Sequence, residues 1–185
     1  MSCHLVAFSG SLREDSLNRK LLLHAIAAAS DAGASVDHLD LRDFRAPVYD
    51  GDAETKSGMP ESIQAFVDRV MKADGLLIAS PEHNGSVTSA LKNTIDWASR
   101  HREGRATCFT GKTVALLAAT PGDHGALGGL EHLRAILGNL GAQVLEEHFG
   151  LPTAHEAFNH DSALLDDAHQ AAARSVAEQL VAAVR

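Results

Sequence analysis

Cysteine is nearly missing from this chain. Cys3 and Cys108 are the two it has, and they make neither a disulfide framework nor a C-x-x-C redox pair, so both read as ordinary free thiols. Long apolar runs are missing as well. The start, Met-Ser-Cys-His, leads into five mostly apolar residues, far short of the roughly 20 a membrane helix needs and without a signal peptide's charged and cleavage regions. A cytoplasmic protein without membrane attachment is the expectation. Positive charge is outweighed, with 16 Lys+Arg against 24 Asp+Glu and a formal net charge of −8. Such a field repels polyanions, which argues against nucleic acid or an anionic membrane surface as a partner. Histidine is plentiful at 11 residues, yet there is no H-E-x-x-H and no close His/Asp cluster at ligand spacing, so no metal site is expected. Three further signatures are absent: the G-x-S-x-G elbow of a hydrolase, the G-x-G-x-x-G dinucleotide loop and the G-x-x-x-x-G-K-[ST] triphosphate loop.

What is present is an ordinary globular composition, 45% hydrophobic and 22% charged over 185 residues, which suits one domain spanning residues 1–185. Short apolar runs alternate with helical patterns. His4 to Phe8 reads as a first strand, and a first helix begins near Leu17 and stops at Gly33. Ser35 to Leu41 alternates as a second strand. Pro60 suits the first turn of a second helix carrying Ile63, Phe66, Val67, Val70 and Met71 at helical spacing. Gly75 to Ala79 is almost wholly apolar, as a central parallel strand buried on both faces should be. Val87, Leu91, Ile95 and Ala98 mark a third helix, Thr113 to Ala119 a fourth strand, Leu130, Leu133, Leu137 and Leu140 a fourth helix, and Gln143 to Phe149 a fifth strand. A last helix carries Leu165, Ala168, Ala172, Val176, Leu180 and Val184. Right-handed crossovers then favour an α/β three-layer sandwich, its five-stranded parallel sheet in the flavodoxin-like order 2-1-3-4-5. In that order the loops after strands one and three open a crevice at the carboxyl edge of the sheet.

The first of those loops, Ser9-Gly10-Ser11-Leu12-Arg13-Glu14-Asp15-Ser16-Leu17-Asn18, has the makings of an anion cradle. A helix start offers free N–H groups, Gly10 permits close backbone approach, Ser11, Ser16 and Asn18 are neutral donors, and Arg13 adds one charge. That set suits a monophosphate. Ser16 and Asn18 have an equal claim as helix caps. The second loop, Ser80-Pro81-Glu82-His83-Asn84-Gly85-Ser86, leads into a helix whose first N–H groups face the same crevice, where a flat heterocycle could be held by main-chain bonds. The third, Thr120-Pro121-Gly122-Asp123-His124-Gly125, lies beside it.

Over nearly its whole length the chain resembles the NADPH-dependent FMN reductase family, which includes quinone, chromate and azo-dye reductases. Three segments carry the resemblance: Gly10-Ser11-Leu12-Arg13 with Ser16 and Asn18; Pro81-Glu82-His83-Asn84 through Leu91-Lys92-Asn93 and Ile95-Asp96-Trp97; and Gly111-Lys112 with Pro121-Gly122. The resemblance implies an FMN cofactor whose phosphate is held by Ser11, Arg13, Ser16 and Asn18, with Ser9 beside them. It also implies that Pro81, Glu82, His83, Asn84, Gly85 and Ser86 edge the ring, while Thr120, Pro121, Gly122 and Gly125 close its other side. NADPH or NADH would be the co-substrate, a quinone-like or other small molecule the electron acceptor, and a homodimer or homotetramer the assembly, with no side chain acting as acid or base. The chain departs from the family at His83, where tyrosine is common, and at Thr88-Ser89, where Pro-Gly is common.

Several residues carry plainer readings too. Glu82 suits a subunit contact or a solvated surface, Trp97 the core or a subunit contact, and Lys92 and Asn93 a surface or capping role. The rival function is a non-enzymatic electron carrier of the same fold. Carriers sandwich the flavin between aromatic rings, whereas the loops 81–86 and 120–125 contain no Phe, Tyr or Trp, which leaves a face open to a nicotinamide.

Overall fold

The structure is a computed structural model and describes residues 3–185. From the amino terminus the elements are β1 (His4–Ser9), α1 (Leu17–Asp31), β2 (Ser35–Asp40), a 3-10 turn (Leu41–Phe44), α2 (Gly51–Ser57), α3 (Glu61–Lys72) and β3 (Gly75–Ala79). A hairpin of β4 (Glu82–His83) and β5 (Ser86–Val87) precedes α4 (Ser89–Ala98), and a second hairpin of β6 (Arg102–Glu103) and β7 (Ala106–Thr107) follows it. The chain closes with β8 (Thr113–Ala119), α5 (Leu127–Asn139), β9 (Gln143–Leu151) and α6 (Asp167–Ala183). Five strands form one parallel sheet in the order β2-β1-β3-β8-β9. In order of appearance that is 2-1-3-4-5, as the alternation of patterns predicts.

Strand periodicity sorts the core into two layers, because successive side chains point to opposite faces of a sheet. Val6, Phe8, Leu76, Ile78, Val114, Leu116 and Ala118 pack with α3, α4 and α5 residues such as Phe66, Ile95 and Leu133. Leu5, Ala7, Leu77, Ala79, Ala115 and Leu117 pack instead with Leu21, Ala25, Val176 and Leu180 from α1 and α6. β3 is buried at every position, which explains why its sequence lacks polar residues.

Local chemistry sets the element ends, and several differ from the sequence expectation. Pro60 stands just before α3 as its cap position, with extended backbone, so the helix begins at Glu61. Val87 lies in β5 instead of in a helix, and α4 starts two residues later with Thr88 as its cap, the hydroxyl accepting from the Leu91 N–H. Leu165 is 61% exposed and precedes α6, which Asp166 caps through the His169 N–H. The β4–β5 hairpin, α2 and the 3-10 turn are elements the apolar pattern does not announce. A signal for the hairpin does exist: Asn84 and Gly85 take φ of 53° and 74°, and Asn-Gly is the favoured pair for a two-residue turn needing positive φ at both central positions.

Candidate functional site

The crevice lies where the topology places it. A cavity of about 790 Å3 opens at the carboxyl edge of the sheet, walled by Ser11, Arg13, Ser16 and Asn18 from the first loop, Pro81 to His83 from the second, and Thr120 and Pro121 from the third. That volume lies inside the range typical of small-molecule and cofactor sites.

The first loop is held from below and from the side. Gly10 N–H donates to the Ala79 carbonyl at 2.9 Å, and Thr88, while capping α4, donates its hydroxyl hydrogen to the Gly10 carbonyl at 2.7 Å. A Cβ on Gly10 would come within 3.0 Å of Leu91 Cδ2, so glycine is what lets this loop lie against α4. Within the loop, Ser9 Oγ accepts from Ser11 N–H, Ser11 Oγ from Arg13 N–H, and Ser16 Oγ from Arg19 N–H. A hydroxyl that accepts in this way keeps its own hydrogen to donate. Ser11 and Ser16 therefore offer O–H groups to the cavity beside the unpaired N–H groups that any helix has in its first turn, here that of α1. Ser9 lies buried behind the loop, where it shapes the cavity without forming its wall.

Arg19, a residue the sequence reading passes over, braces this loop. Its guanidinium donates to the Arg13 and Glu14 carbonyls at 3.0 and 3.1 Å and sits 3.7 Å from Asp40. The Arg42 guanidinium hydrogen-bonded to Asp40 is the main cause that draws that carboxyl down to about 2, with Arg19 adding to it. Arg13 is exposed, and among the described residues its guanidinium has no hydrogen-bond or ion-pair partner. Lys20, also on the cavity wall, pairs with Asp15 at 2.6 Å, and that hydrogen bond lowers the Asp15 carboxyl.

Asn18, in the cavity wall, is also tied to β8, leaving one of its two Nδ2 hydrogens uncommitted. Its Nδ2 donates to the Ala119 carbonyl at 2.7 Å, and its Oδ1 accepts the Ala119 N–H at 2.9 Å. β3 pairs with β8 only as far as Leu117, so Ala119 has no strand neighbour on that side. The Asn18 amide takes the place of the missing peptide.

The remaining loop residues divide. His83 and Ser89 line the main cavity and also a second hollow of about 630 Å3 on the far side of the hairpin, whose walls include Asn84, Ser86, Val87, Lys92 and Ile136. Asn84 and Ser86 thus face that hollow and not the main cavity, with Gly85 at the hairpin tip and Ser86 Oγ 2.9 Å from His132 Nδ1. Glu82 reaches the start of α5, where its carboxylate accepts the Gly129 N–H at 2.6 Å. Of the third loop, Gly122 is exposed and donates its N–H to Thr120 Oγ1. Gly125 is buried with φ +63°, and a Cβ there would sit 2.7 Å from the Gly150 carbonyl oxygen. Its role is a close backbone crossing with β9. Asn93 and Trp97 fasten the segment before α2: Asn93 accepts from Tyr49 N–H and donates to the Pro47 carbonyl, as does Trp97 Nε1.

The segment between β9 and α6 adds wall that no motif announces. It brings His155 and Phe158 to the main cavity, so the cavity is not free of aromatic rings as the two loops alone suggest. The buried Cys108 thiol is pushed up to about 12 by desolvation, which keeps it protonated and inert. Among the described residues no group of three or more His, Cys, Asp or Glu could hold a metal ion, and no helix is long and apolar enough to cross a membrane.

The donor set fits the phosphate end of FMN: hydroxyls, first-turn amides and an arginine guanidinium without a hydrogen-bonded partner among the described residues, all in the wall of one cavity. The profile of the NADPH-dependent FMN reductase family matches residues 3–156. The chain is 36% identical over 164 residues to an NAD(P)H-dependent FMN reductase of Pseudomonas aeruginosa, covering 88% of this chain and 85% of that protein. It is 33% identical over 144 residues to a quinone reductase of Escherichia coli K12, covering 77% and 73%. Among solved structures, a flavoenzyme NAD(P)H:(acceptor) oxidoreductase of Paracoccus denitrificans superposes with a TM-score of 0.83 at 26% identity, over 98% of this chain and 97% of that one. The chain belongs to the NADPH-dependent FMN reductase family.

Proposed function

We propose that this FMN-dependent NAD(P)H oxidoreductase delivers its electrons to quinone-like small molecules, and that it binds FMN with the phosphate on Ser11, Arg13, Ser16 and the first turn of α1. The observation that carries the placement is the unengaged Arg13 guanidinium beside two hydroxyls whose hydrogens are free to donate. FMN, once bound, supplies the hydride-accepting ring. The chain supplies position and field. The first-turn N–H groups of α4, at Ser89 and Ala90 on the cavity wall, place the positive end of a helix dipole where negative charge is to be stabilised. Pro81 and His83 form one side of the ring end and Thr120 and Pro121 the other, with Asn18 fixing the end of β8 that carries the latter pair. Quinone acceptors are supported by the reductase of Escherichia coli that the chain matches.

The same reading takes residues 1–185 as one domain, working in the cytoplasm as a homodimer or homotetramer. The open hollow beside the hairpin, with Val87 and Ile136 in its wall, suits contact with a second copy, and light scattering of the purified protein tests the assembly.

The site is tested by titrating the apoprotein with FMN and with riboflavin, then mixing the loaded protein anaerobically with NADPH or NADH and adding quinone. FMN should bind and riboflavin bind poorly, the yellow colour should bleach on mixing, and quinone should restore it. Arg13→Ala should weaken FMN by about 1.5 to 3 kcal/mol, the worth of a hydrogen bond to a charged group. Equal affinity for FMN and riboflavin would refute the phosphate site, and failure of quinone to restore the colour would refute the acceptor class.

A further inference from the structure

The segment from Pro152 to Asp166 has no regular secondary structure, yet it is closely tied at both ends. At its start, Thr153 N–H donates to the Gly122 carbonyl and Ala154 N–H to the Thr120 carbonyl, both at 2.9 Å, which joins it to the loop after β8. Within it, Asn159 Oδ1 accepts from Asp161 and Ala163 N–H, and Phe158 bridges to Leu164. Thr153 and Ser162 hold left-handed backbone, φ 46° and 63°, a conformation that non-glycine residues keep only when their surroundings impose it.

At Ser162 the turn is closed by Asn159, whose carbonyl accepts the Ser162 N–H at 3.0 Å, and is gripped from outside by His24 of α1. Its Nε2 stands 2.9 Å from the Ser162 carbonyl oxygen and 3.2 Å from the Leu164 N–H. One tautomer donates to the first and the other accepts from the second, so either way the ring grips the same turn. The His24 ring also stacks on Phe158, with centroids 6.2 Å apart and planes 28° from parallel. Leu17, Lys20 and His24 follow one another at i, i+3 and i+7 along a single face of α1, and Leu17, Lys20 and Phe158 all line the main cavity. Phe158 therefore joins Leu17 and Lys20 of α1 in the wall of that cavity.

We infer that His24 is a positioning residue for the cofactor: from outside the cavity it fixes the 152–166 segment so that Phe158 closes the end where the phosphate and sugar-alcohol chain of FMN lie. The inference rests on the FMN placement given above. The partners of His24, namely Ser162, Leu164 and Phe158, lie outside the three segments that carry the family's motifs, and it acts through a ring contributed 134 positions later in the chain.

The test is FMN titration of the apoproteins of the parent, His24→Ala, Phe158→Leu and the double variant, with release rate and visible-region circular dichroism of the bound flavin recorded for each. His24→Ala should weaken FMN about tenfold, equivalent to 1.4 kcal/mol, through faster release. Phe158→Leu should do the same and the double variant scarcely more, because the two residues act as one unit. His24→Gln, which can still bond the turn, should recover part of the loss, and the flavin dichroism should change in His24→Ala alone of the two His24 variants. Should His24→Ala fold poorly, His24→Gln and Phe158→Leu carry the comparison. Unchanged FMN affinity in His24→Ala, or losses that simply add in the double variant, would overturn the inference while leaving the FMN reading intact. A parent protein that takes up no FMN would overturn both.

Discussion

Replacing Asn18 by alanine separates two roles that look alike from the sequence. If Asn18 chiefly donates to a phosphate, its loss should leave the apoprotein's stability alone and weaken FMN. The geometry adds a structural role that predicts a loss of stability as well. Two bonds, at 2.7 and 2.9 Å, run to the carbonyl and N–H of Ala119, with Asn18 and Ala119 each 4% exposed. Each such bond contributes about 0.5 to 1.5 kcal/mol net, and a buried partner left without one costs about 1 to 3 kcal/mol. Some relief comes from water entering the space left by the amide, so the sum should fall at about 2 to 4 kcal/mol. In a chain of this size that corresponds to a fall in midpoint of roughly 2 to 4 °C per kcal/mol. Urea denaturation of the apoprotein reads the loss with no cofactor present. Asn18→Asp sharpens the comparison, since the shape is kept while an oxygen replaces the nitrogen that faces the Ala119 carbonyl, and it should destabilise at least as much. An Asn18→Ala apoprotein within about 0.5 kcal/mol of the parent, a change typical of surface positions, would refute the reasoning.

Acid should reveal the Asp40 brace. Its folded carboxyl lies near 2 against an ordinary 3.8, so its stabilising contribution is complete above about pH 4 and is lost as pH falls through about 2. Asp40→Asn, which can still cap the 3-10 turn, should therefore trail the parent by a constant margin in urea midpoint near neutrality and converge with it in acid; a margin independent of pH down to the acid limit would contradict this. Cys108, held as a thiol with its pKa raised to about 12, should ignore a thiol-specific disulfide reagent in native Cys3→Ser protein at mildly alkaline pH and react once urea unfolds the chain. Rapid native labelling would show that the pocket opens. Gly125→Ala meets both a left-handed backbone and the Gly150 oxygen at 2.7 Å, and should cost about 2 kcal/mol or more, measured by thermal melting against Gly85→Ala, which has the same sign of φ but open space around its Cβ.

The sheet was legible in the sequence because its signals are local. Gly75 to Ala79 and, after Thr113, Val114 to Ala119 are apolar runs, and the structure gives the strands the expected limits. Helix starts were less so, since caps depend on which side chain wins the first free N–H: Thr88 caps α4 where Val87 looks helical. The first loop was readable as cavity wall because donors and glycine cluster within ten residues after a strand. Its supports were not, as Arg19 works through backbone carbonyls, which have no sequence signature. Nor could any spacing have shown that Asn18 pairs with Ala119, or that Phe158 reaches a cavity built around residues 10–20, because those contacts exist only once the sheet has brought the segments together.

The bond between Asn18 and Ala119 spans 101 positions, and that between His24 and Ser162 spans 138. During synthesis, the first loop leaves the ribosome long before either partner exists. Until β8 has been made and paired, nothing fixes the distance between α1 and the third loop, and until the 152–166 segment follows, one end of the cavity has no wall. A nascent chain halted at residue 100 would hold every serine and arginine of the first loop and still lack the walls that Thr120, Pro121, His155 and Phe158 supply. Completion of the cavity wall therefore waits for the 152–166 segment, and chains truncated before about residue 165 should be released without cofactor, exposing the carboxyl edge of their sheet to proteolysis.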